Sequence, residues 1–303
     1  MRDLHNLQGC GTALVTPFKA GGALDEAALR RVLAYQLQEG IDFLVPCGTT
    51  GESPTLERDE YLRVIEIVVE EAKGKIPIIA GAGGNNTKKV MERIDEIRPL
   101  GVDGILSVSP YYNKPTPEGL YQHYRAIAES TDLPIILYNV PGRTASNMTA
   151  ATVARISEIP NILGIKEASG NLVQITEIIN TARPGFRVLA GDDSITLPLM
   201  GVGGVGVISV VSNEVPGPMA KMVRAALENR WDEARKLNAR YLPLMQANFI
   251  ETSPIPVKAA LAKMGLIEEV YRLPLVGMRP ENRKKFEEVL QQVKLLKREK
   301  TPA

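Results

Sequence analysis

Eight short apolar runs, each closed by turn residues, recur through the first two-thirds of this 303-residue chain, and helical segments with charge on one face lie between most of them. After Pro218 the strand-like runs stop and four helical segments follow in succession. These two observations predict an α/β fold: a (β/α)8 barrel of the TIM type over residues 1–225, followed by a small C-terminal helical domain over residues 226–303. A strand-helix-strand alternation requires a parallel sheet, because each crossover returns the chain to the same end. Eight units over about 215 residues match the usual size of such a barrel. The alternative is a doubly wound open sheet. Even spacing of the runs, and the lack of a glycine-rich phosphate loop after the first of them, favour the barrel.

Taken in order, the strand-like runs are residues 12–18, 41–46, 76–80, 104–108, 135–139, 162–166, 187–190 and 205–211. The first helix is expected over 25–40, capped by Asp25 and stopped by Gly40; a second is expected over 57–73. In the C-terminal part, 219–229, 231–249, 255–263 and 280–297 read as helices, with Pro256 in a first turn where its missing N–H is not needed. The charged tail, 297–303, is expected to fray.

Hydrophobic content of 44% and charged content of 23% describe a globular chain with ample core. A net charge of +1 gives no electrostatic reason to expect nucleic acid or an anionic membrane as partner. The first residues, MRDLHNLQGCG, contain no apolar signal-peptide core, and no apolar run approaches the ~18 residues of a membrane span. Cys10 and Cys47 are the only cysteines, which suits a reducing cytoplasm, and two histidines make a histidine-rich metal site unexpected.

Chemistry is expected at the C-terminal ends of the barrel strands. Residues 161–170, NILGIKEASG, read as a buried strand ending in Lys166. A buried ammonium loses its hydration, so the group escapes by becoming neutral; a neutral amine is a nucleophile that forms Schiff bases with carbonyl compounds. Taken alone, a lysine snorkelling from a strand end is the commoner explanation, and the rest of the rim has to outweigh it. Tyr138, one βα unit earlier, falls on the neighbouring strand, about 4.8 Å away, within reach of an imine on Lys166. A phenol both donates and accepts protons, as carbinolamine formation and dehydration require, and Thr50 is placed to relay that proton. The same rim carries Thr49 and Thr50 in CGTTGES, Tyr111 and Tyr112 in SPYYNKP, Arg143 in YNVPGRT and Gly191 in AGDD. Each has a structural explanation by itself, since turn threonines bond local backbone and strand-end tyrosines fill cores. Their convergence on one rim favours catalysis. Residues 201–206 satisfy G-x-G-x-x-G but lead into a strand, so they read as backbone crowding rather than a dinucleotide loop. Asp192 and Asp193 read as helix caps, and Lys258 as a solvated residue on an outer helix.

With GTTGE, SPYYNKP, YNVPGRT, GIKEASG, AGDD and GVISV in this order, the chain resembles the dihydrodipicolinate synthases, members of the pyruvate-dependent Schiff-base aldolases that include N-acetylneuraminate lyase. The resemblance runs from Leu7 to about Leu296. It implies condensation of pyruvate with L-aspartate 4-semialdehyde, giving 4-hydroxytetrahydrodipicolinate on the diaminopimelate and lysine pathway. No metal and no other cofactor is implied, and the enzyme is expected in the cytoplasm. It also implies that Lys166 holds pyruvate as the imine, that Tyr138 carries the proton, and that Thr50 links it to Tyr112. That second tyrosine would enter from a neighbouring subunit, implying at least a dimer and usually a homotetramer, a dimer of dimers. Arg143 would bind the semialdehyde carboxylate, Thr49 and Thr50 the pyruvate carboxylate, while Gly191 lines the pocket and Ile208 touches it through its backbone.

The nearest competitor is a sister aldolase acting on a sugar acid, N-acetylneuraminate or 2-keto-3-deoxygluconate; Arg143 and Tyr112 favour the synthase. A nicotinamide-dependent oxidoreductase using 201–206 and a non-catalytic barrel are the remaining alternatives. Lysine-inhibited synthases bind lysine at positions that correspond here to Ser53, Pro54, Arg58, Tyr61, Asn85, Lys89 and Tyr111. Lys89 stands where those enzymes have a glutamate, and Arg58 and Tyr61 where they have histidines, so insensitivity to lysine is expected.

Overall fold

In the computed structural model of the chain, which describes residues 2–72 and 74–296, eight parallel strands form one sheet. They are β1 (Gly9–Ala13), β2 (Phe43–Val45), β3 (Ile79–Gly81), β4 (Gly104–Val108), β5 (Ile135–Asn139), β6 (Ile162–Glu167), β7 (Arg187–Ala190) and β8 (Gly206–Ser209). Their order is β2-β1-β8-β7-β6-β5-β4-β3. The ends of that order meet: Leu44 bridges Ile78, and the Gly81 N–H donates to the Pro46 carbonyl at 2.9 Å. The sheet therefore closes into the expected barrel.

The first strand lies earlier than residues 12–18. Gly9 and Gly11 make this stretch look like a turn, yet both are required by close packing. A Cβ on Gly11 would lie 2.0 Å from the Phe43 ring, and one on Gly9 would strike the Asp42 carboxylate. Beyond Ala13 the chain leaves the sheet toward Pro17, which has no N–H to give a ladder.

Helices α1 (Glu26–Gln38), α2 (Arg58–Ala72), α3 (Thr87–Ile97), α4 (Pro117–Glu129), α5 (Pro141–Thr144), α6 (Ala150–Ser157), α7 (Leu172–Thr181) and α8 (Thr196–Gly201) fill the crossovers. As expected, the Asp25 carboxylate caps α1, accepting from the Ala28 N–H at 3.0 Å, and Gly40 follows it at φ 78°. Alternation along each strand divides the core in two. Val45, Ile79, Leu106, Ile136, Leu163 and Leu189 fill the barrel interior, which Leu4 and Leu7 close at the strands' N-terminal end. Ile135, Leu137, Ile162 and Ile165 face outward against the helices. Each such side chain contributes about 1.5–3 kcal/mol on burial.

Helix α9 (Pro216–Leu227) packs along β1 as the eighth barrel helix and carries the chain through position 225. Then come α10 (Trp231–Ala247), α11 (Ile255–Lys263) and α12 (Pro280–Gln292). The tail from Lys297 lies outside the described residues. Among the described residues no helix is long and apolar enough to cross a membrane.

Candidate active site

Tyr138 and Lys166 are paired in register across β5 and β6, so two neighbouring strands deliver both side chains to the inner face at the C-terminal rim. The Lys166 Nζ stands 4.4 Å from the centre of the Tyr138 ring, and the lysine is only 4% exposed. Burial pulls its pKa down from 10.5 to about 8; the negative charge of Asp193 opposes this, and Arg143 adds to it. Tyr138 is buried as well. Desolvation raises its pKa, while Arg143 and a hydrogen bond from Thr49 hold it back. A lysine amine with a lowered pKa thus lies beside a buried phenol.

Of the two threonines, Thr49 is the one whose hydroxyl bears on the Tyr138 phenol, whereas the sequence reading names Thr50 as the relay. Thr49–Gly51 forms one turn of 3-10 helix, with three residues per turn, so adjacent side chains diverge by about 120° and both cannot face one phenol. Thr50 is buried beside it. The turn is tied to the end of β1 by the Thr16 hydroxyl, which donates to the Gly51 carbonyl at 2.7 Å.

Arg143 rides on the short helix α5 directly after β5, where Nη2 donates to the Ser253 carbonyl at 3.2 Å. Its charge is felt at both Lys166 and Tyr138. Gly191 follows β7, and a Cβ there would come within 3.1 Å of the Lys166 Cγ and Cε, so only glycine leaves the lysine its path. Ile208 is fully buried in β8, in register with Gly11. Beyond it, Asp193 accepts the N–H groups of Val210 and Val211, each at 3.0 Å, and so fixes the backbone leaving β8. Asp192 caps the turn before it, accepting from the Ser194 N–H at 2.9 Å.

Tyr112 is not brought into this constellation. Its side chain is 87% exposed and its φ is +70°, a conformation a bulky residue adopts at some cost. The loop that carries it is held from below, since the Asn85 side chain donates to the Tyr111 carbonyl and Asn113 donates back to the Asn85 carbonyl.

Two groups escaped the sequence reading. Glu167 points to the opposite face from Lys166, fully buried, and accepts from the Ser169 N–H at 2.6 Å and the Asn139 side chain at 3.0 Å. Asn139 also bonds Asn147, which bonds Gln174, so the ends of β5 and β6 are locked together. Strand alternation was the available signal, because it places a carboxylate among apolar residues. Lys258, expected to be solvated, is instead 0% exposed. Its Nζ meets the buried carboxylate of Glu52 at 2.5 Å and donates to the Thr16 carbonyl at 3.1 Å.

A cavity of about 330 Å³ opens from Thr49 and Tyr138 outward to Asn85, Lys89 and Tyr111. Lys166 does not line it; the Tyr138 ring, 4.4 Å from the Lys166 Nζ, is what connects the two. Glycines allow the tight packing beside it: a Cβ on Gly81 would lie 2.3 Å from the Cys47 carbonyl oxygen and one on Gly83 2.3 Å from the Val108 nitrogen.

Residues 6–293 match the family model described as the dihydrodipicolinate synthetase family. The chain belongs to that family. It is 56% identical over 292 residues to the 4-hydroxy-tetrahydrodipicolinate synthase of Koribacter versatilis, covering 96% of this chain and 97% of that one. The crystal structure of the dihydrodipicolinate synthase from Thermotoga maritima superposes with a TM-score of 0.94 at 46% identity, over 96% of this chain and 99% of the other. The chloride-inhibited synthase from Acinetobacter baumannii complexed with pyruvate gives 0.93 at 40% identity, over 95% and 99%. Membership of the dihydrodipicolinate synthase family makes this chain an enzyme, of the lyase class.

Proposed function

We propose that the chain condenses pyruvate with L-aspartate 4-semialdehyde to give 4-hydroxytetrahydrodipicolinate, with pyruvate held as a Schiff base on Lys166. The observation that carries the covalent step is the buried amine of Lys166 against the Tyr138 ring. With a pKa of about 8, roughly a quarter of these amines are neutral at pH 7.5, against about one in a thousand for an ordinary lysine.

In this reading the Lys166 nitrogen attacks the ketone carbon of pyruvate, and Tyr138 passes a proton to the oxygen, which leaves as water. Loss of a methyl proton gives the enamine, whose carbon attacks the aldehyde. The amino group of the semialdehyde then adds to the imine carbon, and expulsion of the Lys166 amine closes the ring and frees the enzyme. Thr49 holds the Tyr138 phenol. The turn of Thr49 and Thr50 receives the pyruvate carboxylate, with Gly191 and the Ile208 backbone lining the pocket. Arg143 receives the carboxylate of the semialdehyde. Tyr112 serves the site of a second copy, so the working enzyme is an oligomer, a homotetramer built as a dimer of dimers. The barrel over 1–225 carries the chemistry, the helical part over 226–303 supports it, the enzyme works in the cytoplasm, and no metal takes part because the imine is the electron sink.

Borohydride reduction in the presence of pyruvate tests this reading. A reduced pyruvyl group should appear on the peptide containing Lys166 and nowhere else. Lys258 cannot compete, since its amine is enclosed between Glu52 and Thr16. An adduct elsewhere, or none, refutes the covalent step. Turnover with the semialdehyde, beside N-acetylneuraminate and 2-keto-3-deoxygluconate, tests the substrate; faster use of either sugar acid refutes it.

A further inference from the structure

The buried ion pair of Glu52 and Lys258 lies outside the reaction centre yet is built into its frame. Glu52 directly follows the Thr49–Gly51 turn, and its N–H closes that turn by donating to the Thr49 carbonyl at 3.2 Å. It does so at φ +52° and ψ 34°, the left-handed region that a glutamate adopts only when its surroundings insist. Those surroundings are its two carboxylate oxygens. One takes the Lys258 ammonium at 2.5 Å, and the other takes the Arg272 N–H at 3.2 Å. Lys258 acts on the turn a second time through Thr16. Its Nζ donates to the Thr16 carbonyl, and the Thr16 hydroxyl donates to the Gly51 carbonyl at 2.7 Å. The lysine is enclosed by Phe18, whose ring centre is 4.4 Å from Nζ, and by Tyr271 at 5.4 Å, with no route to a substrate.

A hydrophobic pair of similar volume at this depth would serve stability as well or better. What apolar contact lacks is direction, and direction is what a strained turn needs. We propose that Glu52 and Lys258 are positioning residues: the pair locks the Thr49–Gly51 turn in its receiving geometry and ties it to α11 of the C-terminal helical part. This rests on the reading that the turn receives the pyruvate carboxylate.

The test compares pyruvate KM with kcat in the full-length enzyme. Lys258→Met leaves a buried carboxylate unpaired and is expected to unfold the chain, so the deciding variants are Glu52→Gln and the double variant Glu52→Gln with Lys258→Met. In the first, the amide oxygen and the Thr16 carbonyl still accept from a Lys258 amine that can become neutral; the second carries no buried charge. Both should keep a cooperative thermal transition and form the Lys166 imine at saturating pyruvate. Pyruvate KM should rise about threefold in Glu52→Gln and tenfold or more in the double variant, with kcat within about threefold of wild type, as small misplacements of a binding group produce. An unchanged pyruvate KM in whichever of these is folded overturns the proposal and leaves the pair a structural strut. Thr50→Val in the same assay separates the two layers. If it leaves pyruvate KM unchanged, the reading of the turn fails; if it raises KM while the folded pair variants do not, only the positioning role fails.

Discussion

Replacing Lys166 by methionine should abolish turnover and make the folded protein more stable. In the folded chain the amine has a pKa of about 8, against 10.5 when it is solvated. Between those two pH values the unfolded chain binds more protons than the folded one, so wild-type stability rises as pH is raised through that window. Below pH 8 the enzyme bears the full penalty of charging a buried amine. At about 1.4 kcal/mol per pH unit, this is about 3 kcal/mol at pH 7. Methionine fills similar space with no charge and escapes the penalty at every pH. At roughly 1.6 °C per kcal/mol for a chain of this length, Lys166→Met should melt about 5 °C above wild type at pH 7. The gap should narrow steadily as pH rises from 8 and largely vanish near 10.5. Thermal scans at pH 7, 8.5 and 10, without pyruvate and at one protein concentration because assembly also shifts Tm, provide the measurement. A methionine variant less stable than wild type at pH 7, or a gap that does not change with pH, would refute the account of the buried amine.

Tyr138→Phe should slow turnover by roughly 10²-fold or more while the fold survives, measured as kcat beside the melting curve. Arg143→Ala should raise KM for the semialdehyde and leave borohydride trapping of pyruvate intact; because Arg143 helps hold the Lys166 pKa down, the pH profile of imine formation should also move to higher pH. Exhaustive chelation should leave the rate unchanged, and a loss restored by one divalent ion would refute the imine as sole electron sink. L-lysine at 1 mM should not reach half-inhibition in a steady-state assay. The Lys89 ammonium at the cavity wall would repel a cationic ligand, Arg58 adds charge while engaged with Glu96, and the Tyr61 hydroxyl is turned inward to the Gly81 carbonyl.

What the sequence reveals follows from periodicity. Eight apolar runs and their crossovers give the barrel, and the two-residue alternation puts Tyr138 and Lys166 on one face, where the structure pairs them in register. The phase of a single 3-10 turn leaves no periodic trace, so the sequence names Thr50 as the relay although the Thr49 hydroxyl is the one that bears on the phenol. Glycines in β1 hid a strand, because their reason is the Phe43 ring, more than thirty residues downstream. Lys258 shows a different limit. Val257, Ala259, Ala260 and Leu261 around it are all buried, and a helix apolar on every side is a buried helix. That signal said the lysine needed a partner, but the partner lies 206 residues away in the chain. Tyr112 shows a third limit: its ring is exposed and its φ positive, and the described residues of one chain give it no partner at the site. Local physics thus identifies which groups cannot stand alone, and the closed barrel determines what they meet.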